Sequence, residues 1–80
     1  HMSYVTQQHQ NLWLQQIAEG NENAFKELFA FFYPKLVSFA TTIVHSKEAA
    51  AEITDDVLLK IWLHRSRLTQ IKNITVYLYT

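Results

Sequence analysis

Eighty residues with 49% hydrophobic content, one glycine and one proline are enough for a single core, and the scarcity of both helix breakers points to long helices. The absence of cysteine excludes disulfides and a thiolate metal site. No uninterrupted apolar run approaches the roughly 18 residues of a membrane span and the N-terminus has no signal-peptide pattern, so a cytoplasmic protein is expected; a formal net charge of zero, taken alone, argues against a nucleic-acid binder.

His1 before Met2 reads as a cloning remnant, and residues 1–11 as a tail. Asn11 is predicted to cap a first helix over Leu12 to Glu19 with Leu14, Ile17 and Ala18 inward, and Gly20 supplies the left-handed residue that ends it. Asn21 then caps a second helix, in which Phe25, Leu28, Phe29, Phe32, Leu36, Phe39, Ala40 and Ile43 recur at three-four spacing and form the spine of the core. Pro34 falls inside this pattern and predicts a kink near Phe31 to Tyr33 rather than a stop. Ser46 caps a third helix from Lys47 to about Arg67, with Glu48 near its positive end. In it Ile53, Val57 and Ile61 form the row expected to face the core, which leaves Leu58, Leu59, Trp62 and Leu63 as apolar surface in excess. Thr69 to Lys72 read as a loop. Asn73 caps a fourth helix that starts at Ile74 and is still running at Thr80; Ile74, Thr75 and Val76 would suit a strand, but the chain offers no second strand to pair with them. The expectation is an all-α bundle of three helices plus the start of a fourth, a domain over 12–80 truncated within its last helix.

Charge is unevenly placed. Glu48, Glu52, Asp55 and Asp56 crowd the first part of the third helix, whereas Lys60, His64, Arg65, Arg67 and Lys72 occupy its end and the loop beyond. Compensation of the helix dipole, about 0.3–1 kcal/mol for each charge, accounts for part of this pattern. Glu52, Asp55 and Asp56 also lie on one flank beside Leu59 and Trp62, an acidic patch running into an apolar one that suits a basic, partly apolar helical partner. Trp62 at this spacing reads equally well as a core residue. Arg65, Arg67, Lys72 and Asn73 lead into Tyr77 and Tyr79, and cations beside aromatic rings suit single-stranded nucleic acid, because the cations pair with phosphates and the rings stack on unpaired bases. Tyr77 reads equally as packing. Asp55 and Asp56 are adjacent and diverge on a helix, and His45 and His64 have no ligand-like set around them, so neither catalysis, a metal, a cofactor nor a small-molecule substrate is expected.

Three blocks in this order, AFKELFAFFYPKLVSFATTIV, EITDDVLLKIW and RLTQIKNITVYLYT, resemble region 2 of the bacterial extracytoplasmic-function (ECF) sigma factors, with the resemblance running from Leu12 to Thr80. The family pattern is roughly AFxxLYxxYYPxLxxFAxxI, then DLxQEVFLxLW, then a loop and a YLYT-like helix start. The resemblance implies that Glu52, Asp55, Asp56, Leu59 and Trp62 dock on the coiled-coil clamp helices of the RNA polymerase β′ subunit. It further implies that Arg65, Arg67, Lys72, Asn73 and Tyr77 take part in melting the promoter minus-ten element, with Lys72 and Asn73 in a loop that receives a flipped-out base. An anti-sigma factor is implied as a further partner. The chain departs from the pattern at Asp55, where Gln is usual, at Leu58, often Phe, and at Tyr77, in many relatives Trp. A helical protein–protein interaction module without a DNA role is the rival reading, and a neutral net charge favours it slightly.

Overall fold

Four side chains set the starts of the helices. In the structure, a computed structural model describing residues 6–79, Thr6, Asn21, Ser46 and Asn73 each accept a hydrogen bond from the backbone N–H three residues on, at 3.1, 3.0, 3.2 and 3.1 Å. Each such cap is worth about 1 kcal/mol. They open α1 (Gln7–Ala18), α2 (Glu22–Val44), α3 (Lys47–Leu63) and α4 (Ile74–Leu78). Asn21, Ser46 and Asn73 act as the sequence predicts. The first helix, however, starts at Gln7 rather than Leu12, and Asn11 lies inside it, accepting from Gln7 Nε2 at 3.0 Å. The reason is that its inward face extends back through Trp13 to Gln10, a polar residue that an apolar count passes over. The expected cloning remnant at His1 lies outside the described residues, as does Thr80, the expected reach of the fourth helix; within them α4 ends at Leu78, with Tyr79 as its C-cap.

Two left-handed residues turn the chain between helices. Gly20, at φ +91°, follows α1 and donates its N–H to the Ile17 carbonyl at 2.8 Å. His45 takes the same kind of conformation after α2, at φ 59°, and donates to the Thr41 carbonyl at 2.9 Å. A side chain with a Cβ is strained there and glycine is not. His45→Gly is therefore expected to raise stability by about 0.5–1 kcal/mol, read as a higher midpoint of thermal unfolding.

The helix α2 continues unbroken through Pro34 and buries Ala24, Leu28, Phe32 and Leu36, a row at i, i+4, with Val37 beside it. Phe25, Phe29, Phe31 and Tyr33 pack partly buried against this core. Phe39 and Ile43, read from the sequence as part of the same inward stripe, are instead exposed. The core does not extend along the last turns of α2, where Phe39 meets Tyr79 edge to face, with ring centroids 4.9 Å apart, and lines an open hollow with Ile43, Ile53 and Val57. Although interrupted by charged residues, α2 is by length and mean hydropathy long and apolar enough to cross a membrane. Phe25, Phe29, Phe31, Phe32 and Tyr33 pack onto a folded core, and the core helix of a bundle passes the same test of length and composition.

The largest correction concerns α3. It buries Ala50, Thr54, Leu58 and Ile61 rather than an Ile53–Val57–Ile61 row. Ile53 is 44% exposed, and Leu58, counted as excess surface, is fully buried. Small Ala50 and Thr54 let α3 lie close against α2, and the Thr54 hydroxyl is satisfied within the helix by donating to the Ala50 carbonyl at 2.8 Å. The α-helix then ends at Leu63, short of Arg67, and Arg65–Gln70 form a 3-10 helix that buries Leu68. Thr69 and Gln70 thus belong to a helical turn, and only residues 71–73 connect it to α4. The helix α1 packs against α2, the 3-10 helix and α4. Trp13, Leu14 and Ile17 from α1, Leu28 and Phe32 from α2, Leu58 and Ile61 from α3, Leu68, and Ile74 from α4 make one core, and the fold is an all-α bundle.

Candidate functional site

Because Ala50, Thr54, Leu58 and Ile61 face inward, helical geometry turns Glu52, Asp55, Asp56, Leu59 and Leu63 outward. All five are exposed. Leu59 at 52% and Leu63 at 61% exposure give this face an apolar half that the core does not use. Trp62 borders it and is half-buried. Its ring packs on Phe25 at 5.3 Å between centroids, the Arg65 guanidinium carbon lies 4.3 Å over it, and Arg65 Nη1 donates to the Trp62 carbonyl at 3.0 Å. Core packing and surface presentation are both true of Trp62: with Glu22, Phe25, Lys26 and Phe29 it lines a shallow hollow of about 380 Å³.

The second site lies past the C-terminal end of α3. The 3-10 turn and the short connection to α4 fold Arg67, Lys72, Asn73 and Tyr77 around one groove of about 640 Å³. Tyr77 is 54% exposed and so is not a core residue. The Asn73 side-chain oxygen is committed to capping α4, so a contact from this side chain to a ligand comes from its NH2 group. Arg65, grouped with these residues in the sequence, does not line the groove; it is held on Trp62 instead. Lys60, His64 and Gln70 join the groove, although the sequence reading assigned them no role there. The i, i+4 spacing of Lys60 and His64 was a legible signal that both lie on one side of α3 as it approaches the turn.

Three potential cations in Lys60, Arg67 and Lys72, an exposed phenol ring and amide groups in one open groove are the parts needed to hold a polyanion whose bases are unpaired. The outward face of α3 offers the opposite chemistry, carboxylates beside leucines. One helix therefore carries an acidic-apolar surface along its middle and a basic one at its end.

No curated protein and no solved structure gives a significant match to this chain. The family described as ECF sigma factor matches over residues 7–72, from the first residue of α1 to the loop beyond the 3-10 helix, and so takes in the outward face of α3 and the groove as far as Lys72, with Asn73 and Tyr77 beyond the matched residues. With a match of that extent over this all-α bundle, the chain belongs to the ECF sigma factor family.

Proposed function

We propose that this domain docks on core RNA polymerase through Glu52, Asp55, Asp56, Leu59 and Trp62, and captures unpaired bases of the opened promoter minus-ten element through Arg67, Lys72, Asn73 and Tyr77. The family supplies the setting, transcription initiation in the cytoplasm. The observation that carries the finer reading is the convergence of Arg67, Lys72, Asn73 and Tyr77 on one groove at the end of the helix that bears the acidic face. The partner of that face is the arginine-rich coiled coil of the β′ clamp, since guanidinium groups pair bidentately with carboxylates and Leu59 supplies an apolar anchor beside them. Arg65 serves the docking side in this arrangement, holding Trp62 in place, more than it serves DNA. An anti-sigma factor that covered either face would silence the domain.

The test is binding of a single-stranded minus-ten oligonucleotide as a function of salt. Affinity is expected to fall steeply as salt rises, and replacing both Arg67 and Lys72 by Ala should flatten the log–log slope by about 1.4, roughly 0.7 for each phosphate no longer neutralised. Tyr77→Ala is expected to weaken binding by about tenfold at every salt concentration, leaving the slope unchanged, because stacking is not ionic. Oligonucleotide binding absent, or indifferent to salt, would support the rival reading of an interaction module, for which the exposed apolar residues Phe39, Ile43 and Ile53 would be the contact surface.

A further inference from the structure

Gln10 stands on the inward face of α1 among Trp13, Leu14 and Ile17 and is 7% exposed. A buried carboxamide is unfavourable unless its polar atoms are satisfied, and a leucine would fill much of the same space without that requirement. Its Oε1 accepts the hydroxyl proton of Thr75 at 3.2 Å, across 65 residues of sequence. Thr75 lies in the first turn of α4, between Asn73 and Tyr77.

That location matters because α4 has only five residues, far too few to hold a helical conformation unaided. It is pinned by the Asn73 cap, by the buried Ile74 and by this bond to α1. The same helix α1 also backs the other wall of the groove. Leu14 shares the core with Leu68, and Asn11, Leu14 and Gln15 border a hollow together with Leu68, Ile71 and Lys72. No α1 residue lines the groove itself.

We infer that Gln10 is a positioning residue for the groove: through Thr75 it fixes α4 against α1, and so fixes where Asn73 and Tyr77 meet a ligand. Its consequence for binding rests on the nucleic-acid reading above; its consequence for the geometry of α4 does not.

The experiment compares the 80-residue chain with Gln10→Leu, Thr75→Val, the double variant and Thr75→Ser. Three quantities are read: amide hydrogen exchange at Val76 and Tyr77, whose N–H groups bond Asn73, affinity for the minus-ten oligonucleotide, and affinity for a β′ clamp-helix fragment. Exchange at the Leu28 and Leu58 amides reports global stability separately. Gln10→Leu and Thr75→Val are each expected to raise exchange at Val76 and Tyr77 about fivefold, the measure of one neutral hydrogen bond, with a similar loss of oligonucleotide affinity and no change in clamp affinity. The double variant should be no worse than either single one, and Thr75→Ser, which keeps the hydroxyl, should behave as the native chain. Thr75 is exposed, so Thr75→Val keeps the fold whatever Gln10→Leu does to the core. Native-like exchange at Val76 and Tyr77 in Thr75→Val, or Thr75→Ser behaving as Thr75→Val, would overturn the assignment. Exchange that responds as expected in a chain that never binds the oligonucleotide would uphold the positioning role, and it would be the nucleic-acid reading that falls.

Discussion

Reversing the charge of Asp55 and Asp56 together, in an Asp55→Arg, Asp56→Arg chain, is expected to abolish binding to a fragment of the polymerase β′ clamp helices, a loss of about 100-fold or more. The magnitude follows from the change of sign. Each substitution removes an acceptor for a partner arginine and installs a like charge, and like-charge juxtaposition across an interface costs several kcal/mol. Both side chains are exposed in the free domain, so thermal stability should stay within about 0.5 kcal/mol of the native chain. Loss of clamp binding is then a statement about the surface and not about the fold. Isothermal titration of the two chains against the fragment decides the matter: a variant that binds as the native chain does would move the docking face away from the middle of α3.

Leu58→Ala should remove a large share of the domain's stability, whereas Ile53→Ala should be close to neutral. Leu58 is fully buried in the cluster shared by α1, α2 and α3, and a leucine truncated in such a place loses about 2–5 kcal/mol from the missing methyl groups and the cavity they leave. For a domain of 80 residues that is a large part of a total stability of about 4–12 kcal/mol. Ile53 is 44% exposed, and its truncation should cost no more than about 1 kcal/mol. Urea midpoints of the two variants provide the check, and the opposite order would restore the Ile53–Val57–Ile61 row as the core face.

That pair of residues also shows where the sequence was readable and where it was not. The caps at Asn21, Ser46 and Asn73 were legible because capping is local: a short oxygen-bearing side chain and the N–H three residues on are all it needs. The face of α3 was not, because Ala50 and Thr54 give almost no hydrophobic signal, and their contribution is closeness to α2, a property of the pair of helices. Thr6 was passed over for the related reason that the α1 core face begins with a glutamine whose partner, Thr75, is at the other end of the chain. At the candidate sites, the outward acidic-apolar strip survives the rotation of the α3 core row, since Glu52, Asp55, Asp56 and Leu59 stay on the solvent side in either register. The basic cluster was legible as a cluster, but its membership depended on a 3-10 turn that periodicity does not announce: it sends Arg67 toward Lys72 and Tyr77 and leaves Arg65 on Trp62.

A single unbroken helix carries both Glu52, on the proposed docking face, and Lys60, at the edge of the groove. At 1.5 Å per residue the two are separated by roughly 12 Å along a rod that does not bend appreciably over two turns. In the docking mode proposed above, the groove is fixed at a set distance from the clamp, and promoter strands held there would encounter it at an effective concentration in the millimolar range, as a tethered module would. The weak affinity expected of a small, neutral domain for free oligonucleotide would then be no obstacle to the proposed role, because the second binding event is intramolecular once the first has occurred.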